Sequence, residues 1–292
     1  MTILVTGSTG NIGRQVVAGL SRNGVQVRAL VRTPSKADFP KGVEVAKGDL
    51  LDIEAMRAAL SGVSTLFLLN AVTPDEVTQA LITLNLAREA GVRGIVYFSV
   101  IHADLYANVP HFTGKHTVER MIEKADLPAT VLRPAYFMDN DVALKAALTE
   151  HGVYAMPLGA VGLSVVDSCD IADIAVAELL RRERAAAPLP RQTITVVGPD
   201  CLTGSALAAI WTDVLGRPVR YGGDDPAPFE KMLRSFAPAW LAYDARLMAE
   251  RFQRDGMVAS KAQVELLEQM LGRPLRTYRQ FATELAAAWA RG

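Results

Sequence analysis

Three glycines near the start of the chain have the spacing of a nucleotide-binding turn. Gly7, Gly10 and Gly13 follow a short apolar run at residues 2–6, and apolar residues then recur at helical spacing. Gly7 would permit a sharp exit from a strand, Gly10 the close approach of a pyrophosphate, and Gly13 tight packing of helix on strand. Free N–H groups at the helix start would bind the phosphates. The pattern predicts a dinucleotide site, with a purely structural turn as the alternative.

A second group of candidate ligands follows the strand predicted at residues 25–31. Enzymes that prefer NAD usually have an acidic side chain here, which binds the ribose 2′-hydroxyl. This chain has Arg32 instead, with Ser35 and Lys36 close by. Cations and hydroxyls suit a 2′-phosphate, so the sequence favours NADP. The alternative is a surface turn that happens to be basic.

Two residues with acid–base chemistry, His111 and Lys115, stand four positions apart at the start of a predicted helix. Residues at this spacing can share one side of a helix. An imidazole changes its charge near neutral pH, so His111 could donate a proton to a substrate. It could equally be only a polar residue at a helix start.

Alternating strands and helices must position these candidates. Beyond the two strands already named, the apolar pattern predicts strands at residues 43–46, 65–69, 95–98, 130–132 and 193–197. Such alternation predicts an α/β fold, a Rossmann-type doubly wound parallel sheet. Ligands of these sheets bind beyond the carboxyl ends of the strands. The glycine turn, Arg32, Asp49, Asn70 and Ser99 should all lie at that edge, with the Gly-Asp-Leu turn at residues 48–50 beside an adenine ring.

Capping residues predict where several helices begin. Asp52 should cap a helix that runs through Leu60. The run Thr73-Pro-Asp-Glu76 has the form of a capping box with Pro at the first helical position, opening a helix that ends near Ala90.

The chain after Asn140 is predicted to be mainly helical. Helices are expected at residues 142–149, 170–184, 203–215, 226–235, 238–255 and 260–271. A last helix should open with the capping box Thr277-x-x-Gln280. It should bury three apolar side chains, Phe281, Leu285 and Trp289.

Composition limits the classes of partner. The 292 residues are 50% hydrophobic and 21% charged, and 31 basic residues balance 31 acidic ones. The sequence shows no basic stripe, no signal peptide and no apolar run long enough for a membrane helix. We therefore expect no nucleic-acid or membrane partner and a cytoplasmic location. The protein is also expected to be a monomer or homodimer. The run Arg181-Arg-Glu-Arg184 is interpreted as a solvated helix end. Cys169 and Cys201 are expected to be small buried residues.

Five motifs carry a resemblance to a known family. They are Thr6-Gly-Ser-Thr-Gly-Asn-Ile-Gly13, Gly48-Asp-Leu-Leu-Asp52, His111-x-x-x-Lys115 with Val118-Glu119, Leu132-Arg-Pro-Ala-Tyr-Phe-Met138, and Val165-Val-Asp-Ser-Cys-Asp-Ile-Ala-Asp-Ile174. The chain resembles the NmrA-like branch of the atypical short-chain dehydrogenase/reductases. It is also similar to triphenylmethane reductases, NmrA-type azoreductases and ergot-alkaloid reductases. The resemblance covers most of residues 1–200 and weakens after them.

The resemblance implies an NADP(H) cofactor and hydride transfer. It implies that Lys115 binds the nicotinamide ribose or assists proton transfer, and that Phe137 packs against the nicotinamide. The chain departs from ordinary short-chain dehydrogenases because His111 stands where their Tyr would be. Lys115 and His111 are the predicted catalytic residues, and no metal site is expected. The predicted cofactor-binding residues are Gly7, Ser8, Thr9, Gly10, Asn11, Ile12, Gly13, Arg32, Lys36, Asp49, Leu50, Asn70, Ser99, Lys115, Tyr136 and Phe137.

The function predicted from these features is an NADPH-dependent reductase of an apolar, electron-poor organic acceptor such as a quinone, dye, imine or enone. The alternative is a non-catalytic NADP(H)-binding redox sensor of the NmrA type. The cofactor domain should comprise residues 1–133 and about 165–197, and the substrate lobe about 134–164 and 198–292. Seven aromatic residues could line an apolar pocket, although each taken singly is more typical of a core: Phe112, Tyr136, Phe137, Trp211, Phe229, Phe236 and Trp240.

Overall fold

Parallel strands form the centre of the fold in this computed structural model, which describes residues 1–291 apart from the side chain of Lys36. In chain order, the strands among these residues are β1 (Thr2–Val5), β2 (Gln26–Val31), β3 (Glu44–Lys47), β4 (Val63–Leu68), β5 (Gly94–Phe98), β6 (Ala129–Pro134), β7 (Val153–Tyr154), β8 (Gln192–Val196) and β9 (Arg220–Tyr221). The main sheet has the order β3-β2-β1-β4-β5-β6-β8, and β7 pairs with β9.

The strand order confirms the predicted doubly wound sheet. Every pairing from β3 across to β6 is parallel. The order reverses between β1 and β4, and such a switch point opens a crevice beyond the carboxyl ends of the strands.

The helices lie close to the predicted positions. They are α1 (Asn11–Arg22), α2 (Ile53–Leu60), α3 (Glu76–Glu89), α4 (Pro110–Lys124), α5 (Lys145–Thr149), α6 (Ser168–Glu183), α7 (Gly204–Leu215), α8 (Pro226–Leu233), α9 (Ala239–Asp255), α10 (Lys261–Leu271) and α11 (Tyr278–Arg291). Two caps are confirmed. Asp52 accepts a hydrogen bond from the Ala55 N–H at 3.0 Å, and Thr277 and Gln280 bond each other reciprocally. The predicted helix at residues 142–149 is split into a 3₁₀ segment, Met138–Leu144, and α5.

The predicted capping box at Thr73 is wrong. Helix α3 begins at Glu76, and Asp75 occupies the N-cap position. The Glu76 N–H donates to the Thr73 carbonyl at 3.1 Å, so a turn precedes the helix. A capping box needs the glutamate side chain to reach back to the N-cap N–H. The Glu76 carboxylate is instead buried, with one oxygen 3.6 Å from the Lys115 ammonium nitrogen.

The chain divides into two units. The first comprises Met1–Ala103, Gly114–Arg133 and Ser168–Thr195. The second comprises Asp104–Thr113, Pro134–Asp167 and Val196–Gly292. Residues 104–113, which were expected in the cofactor domain, belong to the second unit.

Apolar periodicity explains how helix α1 packs within the first unit. The predicted apolar residues Ile12, Val16, Val17 and Leu20 are all buried. Leu4 of β1 and Leu66 of β4 contribute to a hydrophobic core on the sheet, together with residues of α2, α3 and α4. Removal of this apolar surface from water is the main force that holds helices on the sheet.

The Arg181–Arg184 stretch is not simply a solvated helix end. Arg182 is buried, and its guanidinium donates to the Thr130 hydroxyl at 2.8 Å and to the carbonyls of Pro128 and Pro190 at 2.9 and 3.0 Å. Burial lowers the pKa of Arg182 to about 10. Glu183 is also buried and accepts a hydrogen bond from Thr65 at 2.6 Å. Thr130, Pro128 and Thr65 lie 52 or more positions away in the chain, so the charge pattern of the helix could not identify them.

Two other predictions about buried side chains, for the cysteines and for helix α11, are wrong. Cys169 and Cys201 are exposed rather than buried. The side chains of Phe281, Leu285 and Trp289 are only half-buried, while Tyr278 and Ala282 form the buried face of α11. Among residues 1–291, the structure contains no helix with the length and apolar character needed to span a bilayer.

Candidate functional site

The predicted ligand-binding residues of the first unit lie at one edge of the sheet. Gly7 follows β1, Arg32 follows β2, Asp49 follows β3, Asn70 follows β4 and Ser99 follows β5. Because these strands are parallel, their carboxyl ends meet at the same edge. The glycine turn and Asn70 therefore lie on either side of the switch point between β1 and β4.

The three glycines of the turn have different structural roles. Gly7 has a φ of 59°, which favours glycine. A Cβ at Gly13 would lie 2.1 Å from the Gly7 carbonyl oxygen, so only glycine lets α1 pack this close to the turn. A Cβ at Gly10 would meet only that same oxygen among the described atoms, at 3.3 Å. A side chain at position 10 would therefore be tight against that one oxygen but otherwise unobstructed, whereas the fold requires glycine at positions 7 and 13.

The first turn of α1 is suited to an anion. Gly10 is the N-cap residue, so no side chain caps the helix, and the first turn contains no acidic residue. The leading N–H groups of a helix have no intrahelical acceptor and lie at the positive end of its dipole. Thr9 and Asn11 beside them are exposed. A phosphate or pyrophosphate is the ligand that such a helix start binds best.

Hydroxyl groups fix the turn on both sides. Thr6 bridges β1 and β4, since its hydroxyl donates to the Leu69 carbonyl and accepts from the Leu69 N–H, each at 2.9 Å. The Ser8 hydroxyl donates to the Leu30 carbonyl at 2.7 Å, and its side chain is fully buried. Ile12 is buried as well. Ser8 and Ile12, both predicted to bind cofactor, therefore have only backbone groups to offer a ligand.

The turns after β2 and β3 differ in what they expose. Arg32 is exposed at the end of β2. The Lys36 side chain, also predicted to bind cofactor, lies outside the described residues. The Asp49 carboxylate accepts a hydrogen bond from the Leu51 N–H at 3.0 Å, so it organises its own turn. Leu50 is half-buried and packs against the core.

Asn70 and Ser99 are both buried, and Asn70 has an acceptor that is not in use. The Asn70 amide nitrogen is 3.4 Å from the Gln79 side-chain oxygen. Its own amide oxygen has no hydrogen-bond partner among the described residues. A buried acceptor without a partner is rare, and a bound ligand commonly supplies the donor. The Ser99 hydroxyl, by contrast, donates to Glu119 at 2.5 Å.

Lys115 is held inside the first unit among carboxylates. Its ammonium nitrogen lies 3.6 Å from Glu76, and both side chains are less than 10% exposed. Burial lowers the pKa of Lys115, while the charges of Glu76 and Glu119 oppose that shift. Glu119 is itself paired with Arg133, at 3.0 and 2.5 Å. Neither Glu76 nor Glu119 is recognisable from the sequence as a residue that holds Lys115.

His111 has a partner in the second unit that the sequence pattern does not reveal. Asp244 of α9 accepts a hydrogen bond from the His111 backbone N–H at 3.0 Å, and its other oxygen pairs with the ring Nδ1. Asp244 is almost fully buried. The two residues are 133 positions apart, and no spacing rule could have linked them.

Tyr136 and Phe137, also in the second unit, are buried to different extents. The Tyr136 hydroxyl donates to the buried Asp141 at 3.4 Å, and the hydroxyls of Tyr154 and Tyr278 donate to its other oxygen at 2.8 and 2.5 Å. Burial raises the pKa of Asp141 to about 6, against the effect of these hydroxyl donors. Phe137 is half-buried and forms a backbone bridge with Val166.

The seven aromatic residues proposed for an apolar pocket have different environments. Phe112, Tyr136, Trp211 and Phe229 are buried, and Phe112 stacks on Tyr106 with ring centroids 5.0 Å apart. Phe137 is half-buried, whereas Phe236 and Trp240 are 68% and 38% exposed. Four of the seven side chains therefore belong to the core of the second unit, which is what we expect of each aromatic residue taken singly.

Comparison with known proteins places the chain in a family. The profile of the NmrA-like family matches residues 1–275. An NAD(P)H azoreductase of Xenophilus azovorans is 31% identical over 291 residues, which cover 98% of this chain and 99% of the azoreductase.

Two solved structures extend the comparison to three dimensions. An NADPH-dependent quinone oxidoreductase of Escherichia coli, complexed with NADPH, is 27% identical with a TM-score of 0.86, over 97% of this chain and 99% of that one. The triphenylmethane reductase of Citrobacter sp., complexed with NADP(H), is 25% identical with a TM-score of 0.84, over the same shares of the two chains. With its Rossmann sheet, its glycine turn and a family match along nearly its whole length, the chain belongs to the NmrA-like family.

Proposed function

We propose that this protein is an NADPH-dependent reductase whose acceptor is a flat, apolar, electron-poor organic molecule. The observation that carries the proposal is the glycine turn at the switch point, in a chain that matches an azoreductase over nearly its entire length. The names of its relatives support quinone-like or dye-like acceptors. Imines and enones belong to the same chemical class, because each has a polarised double bond that accepts hydride.

The residues of the first unit fit a dinucleotide phosphate. The uncapped start of α1 offers backbone N–H groups, Gly10 leaves room beside them, and Asn70 offers an unpaired acceptor. NADPH, when bound, supplies the hydride, and the chain binds it and fixes its position. Arg32 would bind the 2′-phosphate, and Asp49 and Leu50 would pack against the adenine.

Lys115 would hold the nicotinamide ribose. An ammonium group has three donors, and Glu76 occupies one side of it. The remaining donors can bind ribose hydroxyls. Because Glu76 and the surrounding core leave Lys115 little freedom, the ribose would be held in one position. Such positioning is a large part of catalysis when the cofactor carries the chemistry.

The experiment that tests this function measures NADPH consumption by the purified protein with four kinds of acceptor: a quinone, a cationic triarylmethane dye, an azo dye and an enone. We expect turnover of at least one, with small polar 2-hydroxy acids and sugars as poor substrates. Tight NADPH binding without turnover of any acceptor would contradict the proposal. That outcome would favour the non-catalytic redox sensor instead.

Substitutions of Gly10 and Gly13 should separate cofactor binding from folding. In Gly10→Val, the side chain enters the space proposed for the pyrophosphate, so NADPH binding should be lost while the fold is retained. In Gly13→Ala, the methyl group would force the backbone apart, and overpacking of this kind costs about 1–3 kcal/mol. Calorimetric titration with NADPH and thermal unfolding of both variants provide the measurements. NADPH affinity unchanged in folded Gly10→Val would place the phosphates elsewhere.

Removal of the Arg32 guanidinium should affect one cofactor only. A hydrogen bond to a charged group contributes about 1.5–3 kcal/mol, which is roughly ten- to a hundredfold in affinity. Arg32→Ala should weaken NADPH binding by that factor and leave NADH binding nearly unchanged. The exposed Arg22, at the C-terminal end of α1, supplies a matched Arg→Ala control. If NADH binding weakens as much as NADPH binding, Arg32 does not recognise the 2′-phosphate.

Loss of Lys115 should slow turnover. A displacement of the reacting atoms by about 1 Å can lower a rate on the order of a hundredfold, so Lys115→Met should reduce kcat by at least that factor. The substitution also leaves the buried Glu76 without its cation, which destabilises a protein. The double variant Lys115→Met/Glu76→Gln removes this complication. Normal kcat in the double variant, measured together with its unfolding midpoint, would refute the role given to Lys115.

A further inference from the structure

The contact between Asp244 and His111 has two parts. One carboxylate oxygen of Asp244 accepts the backbone N–H of His111, and the other pairs with Nδ1 of its ring. Asp244 has 1% of its side chain exposed, while the His111 side chain keeps 15%. The ring edge also packs on Phe112, with centroids 4.6 Å apart. The carboxylate and the neighbouring ring together leave the imidazole little freedom to rotate.

This arrangement determines which ring nitrogen can react. A carboxylate only accepts hydrogen bonds, so Nδ1 of His111 carries a proton and donates it to Asp244. Nε2 is then the atom through which the ring can exchange a proton with another molecule. A buried Asp that orients a His in this way is a recurring device of acid–base catalysis.

A residue that only capped helix α4 would not need a buried carboxylate. One acceptor oxygen satisfies the His111 backbone N–H, and a neutral Asn or Ser would supply it without the cost of burying a charge. In Asp244 both oxygens are used, and the second is on the ring. The contact therefore has a feature that capping of α4 alone does not explain.

We propose that Asp244 is a positioning residue that makes His111 a proton donor in the reduction, an inference that rests on the proposed function. The acceptor gains a hydride from NADPH, which becomes NADP⁺, and a proton from Nε2 of the His111 imidazolium. The ring is left neutral, with Nδ1–H still donated to Asp244, and a proton taken up from bulk solvent then restores the imidazolium. In an enone the hydride adds to the β-carbon, the π electrons move to oxygen, and the enolate oxygen takes the proton.

Acceptors differ in their need for this proton, and the difference provides the test. A cationic triarylmethane dye becomes its neutral leuco form when one hydride adds to its central carbon, and no proton is required. An enone needs both hydride and proton. A general acid contributes on the order of a hundred- to ten-thousandfold when a reaction needs one. The dye therefore serves as a control within the same enzyme.

Asp244→Asn is the informative variant. The His111 backbone N–H needs an acceptor, so the side-chain oxygen of Asn should face it and the side-chain amide NH₂ group should face Nδ1. Nδ1 must then accept, and the proton of the neutral ring moves to Nε2. A neutral imidazole is a very weak acid, so kcat for the enone should fall on the order of a hundredfold or more. Turnover of the dye should stay within about twofold of wild type, as it should for both acceptors in Asp255→Asn, a control on the same helix.

A second measurement does not depend on turnover. The chain has only 4 histidines, so the ring nitrogens of His111 can be assigned in ¹⁵N spectra by comparison with His111→Gln. We expect a proton on Nδ1 in the wild-type protein and on Nε2 in Asp244→Asn. The thermal unfolding midpoint of each variant shows whether the substitution also affects folding.

The outcomes are distinct. Loss of enone turnover alone, with the change in ring tautomer, supports the proposal. Equal loss with both acceptors, or no loss with either, shows that Asp244 acts only in folding and overturns it. A wild-type protein that reduces neither acceptor, nor any other of the panel, refutes the proposed function itself rather than the part played by Asp244.

Discussion

The close contact between helix α1 and the preceding turn at Gly13 is the constraint on which the carboxyl edge of the main sheet depends. Any Cβ at this position would lie 2.1 Å from the Gly7 carbonyl oxygen. Only glycine therefore lets α1 begin where its leading N–H groups lie beyond β1. The Thr6 and Ser8 hydroxyls fix the turn to β4 and to the end of β2. The turn is thus held by the protein itself, and a ligand would bind to N–H groups that are already in place.

Buried charges in this protein fix positions more than they add stability. Lys115 is held by Glu76, and Glu119 is held by Arg133. Taking both ions of such a pair out of water offsets most of their attraction, so a buried pair is weak evidence for stability. A long lysine side chain on a surface would sample many rotamers. Here the start of α3 supplies the carboxylate that restricts Lys115.

The second unit uses buried carboxylates in a similar way. Asp141 receives hydroxyl donors from three tyrosines, and Asp244 receives both the backbone and the ring of His111. Tyr278 and Asp141 are 137 positions apart, and His111 and Asp244 are 133 apart. In each case one acceptor fixes groups from separate segments of the chain. The two carboxylates differ in their surroundings, since Asp141 faces tyrosine hydroxyls and Asp244 faces an imidazole.

The order of strands and helices, the glycine turn, the caps at Asp52 and Thr277, and the family can all be predicted from the amino-acid sequence. These features depend on contacts between near neighbours or on periodicity, which a linear pattern records. Three other features become visible only in the folded chain: the bond from Ser8 to Leu30, the burial of Arg182, and the contact of Asp244 with His111. A buried polar group must find a partner wherever the fold brings one, often more than a hundred residues away. Composition and spacing do not encode that choice, because it arises from which segments the packing of the core brings together.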